Sequence, residues 1–425
     1  MKSIRSVGPG FARLWVSETA SLAGSQVTLF ALPLVAAVTL DVSAWEMGVL
    51  AASGSAANLV FGLSAGVMAD RFERIRLMQV CNVLRLAVIG SIPLLYAVDY
   101  VSVPVMCVAA FAVGALTLVY DSAKAAVVPR LVERGSLTTA NSWMQGSVAA
   151  ADVAGPGLAG VLVQILGAPL ALLADAASYL IGVIFLQGTP RVPPEREEHS
   201  EGHFSAIRRG FSYLWRDSVQ RPLALAAGHY NVFHAMFFAV FTLFALRELH
   251  LTPLQLGIAG TCTGIAGILA VSASTWIADR LGYGRVMVAV YALPGAIAVV
   301  IPMLPAGNQW LSLVVVSVCE FLWTIVVVVN LVVSESIKQV RTPDPLLGRV
   351  TSSLRFLSSG ADPIGALLGG ALASTLLGLR GTLVLASVGL VTSTLWPLSR
   401  QVRRIRTLDD LELGQSPPKA EAGAA

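Results

Sequence analysis

The sequence of 425 residues is 55% hydrophobic and only 13% charged, with a formal net charge of +4. Soluble globular proteins carry about 25% charged residues, so this composition excludes an ordinary soluble fold and indicates an integral membrane protein. The positive charge does not indicate nucleic-acid binding, because the basic residues are spread over the polar connections between apolar segments.

Apolar segments follow one another along the whole chain, each close to the roughly 20 residues that a helix needs to cross a bilayer. The first is too long for the apolar core of a signal peptide. The predicted spans are 12–38, 46–68, 76–98, 102–122, 140–165, 168–187, 222–246, 253–277, 285–305, 309–334, 351–377 and 381–399. The predicted fold class is an all-α membrane protein with 12 transmembrane helices.

A polar, proline-containing stretch separates two groups of six spans and leads into the amphipathic segment FSAIRRGFSYLWRD. Such a segment favours a helix lying along the membrane surface. The predicted domains are a six-helix bundle at 1–187, a cytoplasmic linker at 188–221, a second six-helix bundle at 222–400 and a cytoplasmic tail at 401–425.

The distribution of lysine and arginine predicts the orientation. Only Arg247 and Arg380 fall in connections on one side of the twelve spans, and Arg85 lies within a span. All other basic residues lie on the side of the two termini, and connections rich in lysine and arginine stay in the cytoplasm. We therefore expect both termini in the cytoplasm and the protein in the inner (cytoplasmic) membrane.

The two groups of spans carry matching motifs in the same order. GVMADRFERIR at 66–76 matches WIADRLGYGR at 276–285, and Asp121-Ser-Ala-Lys124 matches Glu335-Ser-Ile-Lys338. AGPGLAG at 154–160 matches ADPIGALLGG at 361–370. Matching points are six spans apart, so the repeats run parallel, which is one of the two repeat plans of secondary transporters.

These motifs resemble the major facilitator superfamily, whose signature loop is similar to residues 66–76. PRLV at 129–132, TPD at 342–344, LGRV at 347–350 and PIG at 363–365 resemble its macrolide-efflux and enterobactin-exporter branch. The resemblance implies that loop charges hold the cytoplasmic side closed, with Asp70 at a helix N-terminus and Arg71 or Arg74 paired with Asp121. The implied gating residues are Gly66, Asp70, Arg71, Arg74, Asp121, Asp279, Arg280 and Glu335, although Trp276 in place of the leading glycine puts a symmetric second latch in doubt.

Ionisable residues inside spans are costly and are functional candidates. Glu18, Asp152 and Glu320 are the candidates for carrying the coupling proton. The alternative is that each is neutralised by a fixed partner, with Arg85 one candidate, and only holds helices together. Asp175 and Asp362 are interpreted as structural.

The resemblance places the first, fourth, seventh and tenth spans around a central cavity. The candidates for contact with substrate are Gln26, Asn231, His234, Phe237, Trp323 and Asn330, and an aromatic stripe on the seventh span is compatible with packing as well as with a bulky ligand. Gly155 and Pro156 are expected to bend the fifth span. GxxxG pairs such as Gly260/Gly264 and Gly365/Gly369 predict close helix contacts where the halves slide.

The predicted function is proton-coupled export of a small amphipathic or hydrophobic compound such as a drug, siderophore or secondary metabolite, by alternating access. An importer or uniporter is the alternative, and an intramembrane enzyme or sensor has least support because no catalytic motif is present. The expected partners are substrate, protons and lipid, with no nucleic acid, and the expected state is a monomer. No cofactor or metal is expected, since the four cysteines lie in apolar runs without ligand spacing.

Overall fold

The computed structural model describes residues 7–62, 68, 71–193 and 203–412, and these residues form helices and connections without a strand. The helices of the first half pack around one another and are α1 (Pro9–Leu34), α2 (Ala44–Phe61), α3 (Arg74–Ala97), α4 (Val103–Leu131), α5 (Leu137–Leu166) and α6 (Ala168–Gln187). A π-helical turn at Val35–Thr39 extends α1.

The second half repeats this arrangement after a short helix, α7 (His203–Arg216). Its helices are α8 (Gln220–Arg247), α9 (Pro253–Leu281), α10 (Tyr283–Ala298), α11 (Gln309–Arg341), α12 (Asp344–Ser359), α13 (Asp362–Ala373) and α14 (Gly378–Thr392), followed by the short α15 (Arg400–Arg403) and α16 (Asp409–Glu412). Among the described residues, 10 helices are long and apolar enough to cross a membrane. With α2 and the α12–α13 pair in the two remaining positions, the predicted all-α fold of two six-helix halves is confirmed.

Local sequence signals account for where the helices begin and turn. Capping boxes start α2 at Ser43 and α9 at Thr252, where side chain and backbone bond reciprocally across the first turn. Gly167, with φ of 82°, allows the tight turn between α5 and α6, and Gly282, with φ of 86°, does so between α9 and α10.

One predicted span is divided in the structure. The segment predicted as a single helix at 351–377 is divided into α12 and α13 at Gly360 and Ala361. Pro363 follows directly, and proline lacks the N–H that would continue the hydrogen-bond ladder of α12. The sequence at the break, Ser358-Ser359-Gly360-Ala361-Asp362-Pro363, contains a glycine and a proline, which are signals for a helix end that the prediction of one continuous span did not use.

Two helix pairs make the most extensive contacts between the halves. α5 packs on α9, and α2 packs on α13. We call the end of the bundle with the connections at 40–43, 98–102 and 248–252 the arginine-poor face, and the end with the connections at 132–136, 282 and 342–343 the arginine-rich face.

Glycines allow these close contacts between the halves. A Cβ on Gly160 would lie 3.0 Å from the Cα of Gly257, and one on Gly48 would lie 2.7 Å from the Cα of Gly370. Both contacts lie in the part of the bundle nearer the arginine-poor face. Small residues let helix backbones approach closely within a membrane, so the two halves are joined tightly there.

The short α7 packs against α12 in the second half. Leu214 of α7 is fully buried with Ala224 and Val350, and the Tyr213 hydroxyl donates to the Arg341 carbonyl at 2.6 Å. Just after α7, Asp217 accepts a hydrogen bond of 2.8 Å from the Arg341 side chain. These contacts attach α7 to the arginine-rich end of α11.

Candidate functional site

A cavity of about 680 Å³, here called the central cavity, lies between the halves toward the arginine-rich face. Asn58, Asp121 and Lys124 line it from the first half. Ser352 and Arg355 of α12 line it from the second half. Its wall therefore carries charges of both signs, contributed by helices of both halves.

Glu18, a predicted proton carrier, is buried and forms an ion pair. Its Oε1 lies 2.5 Å from the Nζ of Lys124, which is also 2.8 Å from Asp121. Because Lys124 lines the central cavity, this pair links a buried carboxylate of α1 to the cavity. Lys124 is not among the predicted site residues, although it belongs to the Asp121–Lys124 motif that repeats at Glu335–Lys338.

Arg85 is a predicted partner for the buried carboxylates, but its guanidinium lies near two tyrosine rings. Its guanidinium carbon lies 4.7 Å from the ring centre of Tyr120 and 5.5 Å from that of Tyr179. Its Nε and Nη2 have no hydrogen-bond acceptor within the described residues. Glu18 therefore has Lys124 as its counter-charge, while Arg85 is stabilised by ring faces.

Asp175 lies fully buried in α6 and is held by hydroxyl groups. Its carboxylate accepts hydrogen bonds from Thr28 of α1 and, at 3.0 Å, from Ser178. These bonds join α1 to α6. The arrangement is compatible with the structural role that the sequence predicts.

Asp152 of α5 is near the helix-bending candidates and near the second half. The Gln26 side chain donates to its Oδ1 at 2.7 Å, so a predicted proton carrier and a predicted cavity residue are in contact. Gly155 makes room for Gln26, since a Cβ there would lie 2.5 Å from the Gln26 Cβ. Pro156 contacts Gly260 of α9, so this part of α5 belongs to the interface between the halves.

Glu320 lines a cavity of about 330 Å³ in the second half, here called the aromatic cavity. His234 and Phe238 of α8 and Trp323 of α11 line the same cavity. The predicted cavity residue Phe237 is 1% exposed and packs on Trp323, with ring centres 5.2 Å apart. The Trp323 indole N–H donates to the Tyr230 hydroxyl at 2.7 Å, which fixes the orientation of the indole.

Asn231 and Asn330 line a further cavity of about 420 Å³ between α8, α11 and α12. Glu335 and Lys338 lie at the arginine-rich end of this cavity and form an ion pair of 2.6 Å. The Ser334 hydroxyl donates to Asn330 at 2.8 Å. The structure thus places these two asparagines together, apart from the aromatic cavity.

The predicted gating residues are partly described. Gly66 and Asp70 lie outside the described residues, while Arg71 is exposed and Arg74 is buried. The remaining gating candidates make local contacts. Asp121 pairs with Lys124, and Glu335 pairs with Lys338. Asp279 accepts a hydrogen bond from the Tyr283 hydroxyl at 3.4 Å, and the Arg280 guanidinium lies 5.2 Å from the centre of the Trp276 ring. The two ion pairs have the same i,i+3 spacing in the two halves, as expected from the internal repeat.

An ion pair at the arginine-poor face connects the two halves. The Arg247 guanidinium lies 2.5 Å from Asp41 and donates to the Val42 carbonyl at 2.9 Å. Arg247 ends α8, while Asp41 lies between α1 and α2 in the other half. The sequence indicates on which side of the membrane Arg247 lies, but it does not predict this partner, which is 206 positions away.

Two helical halves, with glycine contacts at one end and a charged cavity between them at the other, define a polytopic membrane transporter. Residues 14–361 match the family model of the Major Facilitator Superfamily. The chain therefore belongs to this superfamily, as the motifs indicate, and is a transporter rather than an enzyme.

Similarity to individual proteins extends over almost the whole chain. It is 26% identical over 417 residues to the multidrug efflux pump Tap of Mycolicibacterium fortuitum, covering 95% of this chain and 97% of that protein. The fold is similar to a bacterial homologue of the iron transporter ferroportin in an inward-facing state, with a TM-score of 0.74, 15% identity and coverage of 94% and 100%. It is also similar to a bacterial homologue of the human lysosomal transporter Spinster, with a TM-score of 0.70, 12% identity and coverage of 98% and 100%.

Proposed function

We propose that this protein exports a small amphipathic or hydrophobic compound from the cytoplasm, by proton antiport with alternating access. The observation that carries export is the similarity to a multidrug efflux pump over nearly the full length of both chains. The cavities supply space for a small molecule beside apolar and aromatic side chains, which suits an amphipathic cargo.

The orientation follows the distribution of positive charge. The arginine-rich face is placed in the cytoplasm, together with both termini, and the arginine-poor face on the outside of the inner membrane. In that orientation the glycine contacts close the outside and the central cavity is on the cytoplasmic side. This conformation is suited to loading cargo from the cytoplasm.

Glu18, Asp152 and Glu320 remain the candidates for proton coupling. An exchangeable proton requires a carboxylate that is stable both with and without its proton during the cycle. Lys124 beside Glu18 and Gln26 beside Asp152 supply a charged and a neutral partner, respectively. Glu320 lies among rings, where its charge is favourable only when a proton or a cation accompanies it.

Two sets of contacts would control the alternation. The Asp41–Arg247 pair joins the halves on the outside and opens when cargo is released there. The loop charges Asp70, Arg71 and Arg74, with Asp121, would close the cytoplasmic side in the opposite state. The transporter acts as a single chain, since each of its halves packs against the other to form the central cavity.

The test is dye efflux from cells that lack their own major efflux pumps. Cells expressing the protein are loaded with ethidium, a cation, or with Nile red, which is neutral, and efflux is followed with and without a protonophore. We expect faster efflux of at least one dye than from cells with an empty vector, and loss of the difference with the protonophore. Uptake in place of efflux would favour an importer, and efflux that resists the protonophore would exclude proton coupling.

A further inference from the structure

We propose that the aromatic cavity binds the positively charged group of an organic cation, with Glu320 as its counter-charge and His234, Phe238 and Trp323 as its aromatic walls. The inference rests on the proposed export function and specifies a substrate class for it. The cation is one with a spread, weakly hydrated charge, such as a quaternary ammonium or phosphonium group.

Three rings form the wall of this cavity at short mutual distances. The ring centres of His234 and Phe238 are 4.7 Å apart, those of Phe238 and Trp323 are 5.3 Å apart, and those of His234 and Trp323 are 5.8 Å apart. Phe238 and Trp323 can attract a cation through the negative faces of their rings, which is a known means of binding quaternary ammonium groups, while His234 packs against both rings.

The spacing along the helices explains why these side chains meet. His234 and Phe238 are four residues apart on α8, and Glu320 and Trp323 are three residues apart on α11, so each pair lies on one face of its helix. All four line the same cavity of about 330 Å³, which is large enough for a charged group and part of an apolar body. Gly260 and Thr263 of α9, with Thr324 and Val327 of α11, complete the wall.

The charge of Glu320 has no partner within the described part of the chain. The ion pairs and hydrogen bonds there include Glu18, Asp152 and Asp175 but not Glu320. An ionised carboxylate in apolar surroundings is strongly unfavourable unless a counter-charge compensates it. A cationic ligand supplies that charge.

The position of the cavity connects cation binding to the contact between the halves. Gly260, which lines the cavity, packs on Pro156 of α5 in the first half. A Cβ on Gly260 would lie 2.6 Å from the Cβ of Pro156, so space at this point is limited. A ligand that displaces α9 slightly would therefore change the contact between α9 and α5.

The first experiment measures binding to the purified full-length protein in detergent by equilibrium dialysis. The probes are tetraphenylphosphonium, a permanent cation, and triphenylphosphine oxide, a neutral molecule with similar rings. We expect Glu320→Gln to weaken tetraphenylphosphonium binding about tenfold or more, because it removes the charge with little change of shape. Binding of triphenylphosphine oxide should change less than about twofold, because cation–π and ionic attraction act on the cation alone.

Matched variants separate charge and ring effects from a loss of folding. Asp99→Asn removes one negative charge from an exposed connection and should leave both probes unaffected. Phe238→Leu should weaken tetraphenylphosphonium binding by about threefold to tenfold, and Phe238→Tyr should retain it, because the attraction needs a ring face. Each variant is first compared with the unaltered protein by size exclusion and circular dichroism.

Equal binding of tetraphenylphosphonium to the unaltered protein and to Glu320→Gln would overturn the proposal, as would an equal loss of both probes. Failure of the unaltered protein to bind the cation would do the same. The dye experiment keeps the export function separate. If Nile red is exported while tetraphenylphosphonium does not bind, export stands and the cation site is wrong. If neither dye is exported but Glu320-dependent binding is found, the cation site stands and export is wrong.

Discussion

The two halves share one fold, but the carboxylates inside their helices have different surroundings. In the first half, Glu18 has Lys124 at 2.5 Å and Asp175 accepts hydrogen bonds from two hydroxyl groups. In the second half, Glu320 lies beside three aromatic rings, with no such partner within the described residues. A common architecture therefore supports carboxylates with polar partners in one half and a carboxylate without a described partner in the other.

Structural and functional charges inside a membrane differ in whether they have fixed partners. A carboxylate with fixed partners stabilises the helices that supply them, and its removal is expected to lower stability. A carboxylate without fixed partners costs stability, and is kept only where a ligand or proton uses it. Measuring the stability of single variants can therefore confirm or break the contrast between the halves.

The largest loss of stability is expected from Lys124→Met. Glu18 is 4% exposed and would be left as a buried charge without its counter-charge. Breaking a fully buried pair costs roughly 3–5 kcal/mol, and we expect about 2–3 kcal/mol here because the Lys124 side chain is partly accessible. Thermal unfolding in detergent measures the loss, and the double variant Glu18→Gln/Lys124→Met should recover more than half of it. If Lys124→Met were as stable as the unaltered protein, the Glu18–Lys124 pair would not stabilise the first half, and the proposed difference between the halves would be wrong.

A smaller loss is expected from Asp175→Asn. The amide keeps the shape of the side chain but replaces one of two accepting oxygens, so one hydrogen bond to Thr28 or Ser178 is weakened. The expected loss is about 1 kcal/mol, the usual net value of one hydrogen bond. The same unfolding assay applies, and Thr28→Val, which removes one of the hydroxyl donors, should give a loss of similar size. A loss as large as that of Lys124→Met would contradict a purely hydrogen-bonded role.

A still smaller effect on stability is expected from Asp41→Asn, at the contact between the halves. The Asp41 side chain is 87% exposed, and exposed ion pairs contribute about 0.2–1 kcal/mol. The functional effect is expected to be larger, since a weaker outer contact shifts the population toward outward-open states. Labelling of a cysteine introduced at Leu50, within the outer part of α2, should become faster in this variant, and Arg247→Gln should have the same effect. Unchanged labelling in both variants would show that the Asp41–Arg247 pair does not control opening on the outside.

No loss of stability is expected from Glu320→Gln, because no described partner is lost and the removal of an isolated carboxylate is neutral or stabilising. Loss of dye efflux without a loss of thermal stability would show that the charge of Glu320 serves transport and not folding. A marked loss of stability would show that Glu320 has a structural partner and would abolish the difference between the halves.

Much of the fold was predictable from the sequence, because apolar segments of membrane length and the repeated Asp-Arg motifs are local signals. The face that each helix turns toward its neighbour was not. Gly365 and Gly369 pack against Val232 and Met236 of α8 within the second half, whereas the sequence placed them where the halves slide. In the same helix, Gly370 makes the contact with α2. Adjacent glycines point in different directions, and sequence spacing alone does not tell which direction faces which helix.

The candidate site was predictable as a set of residue types but not as a set of contacts. Buried acids and aromatic residues stand out in an apolar sequence, so Glu18, Glu320 and Trp323 were found. Their partners are distant in sequence: Lys124 is 106 positions from Glu18, and Tyr230 is 93 positions from Trp323. Only the packing of the helices reveals such pairs. It shows that Glu18 has a charged partner and that Glu320 has none among the described residues.

The attachment of α7 to the second half has a practical consequence for spectroscopy. Arg341, at the end of α11, bonds to Asp217 after α7 and to the Leu411 carbonyl in α16. The chain just after α7 and the last described helix, α16, are thus both attached to the second half. Trp215 of α7 is exposed, so a fluorophore or spin label introduced there would travel with the second half as a rigid reporter. Paired with a label on the first half, it would read out the angle between the bundles during a transport cycle.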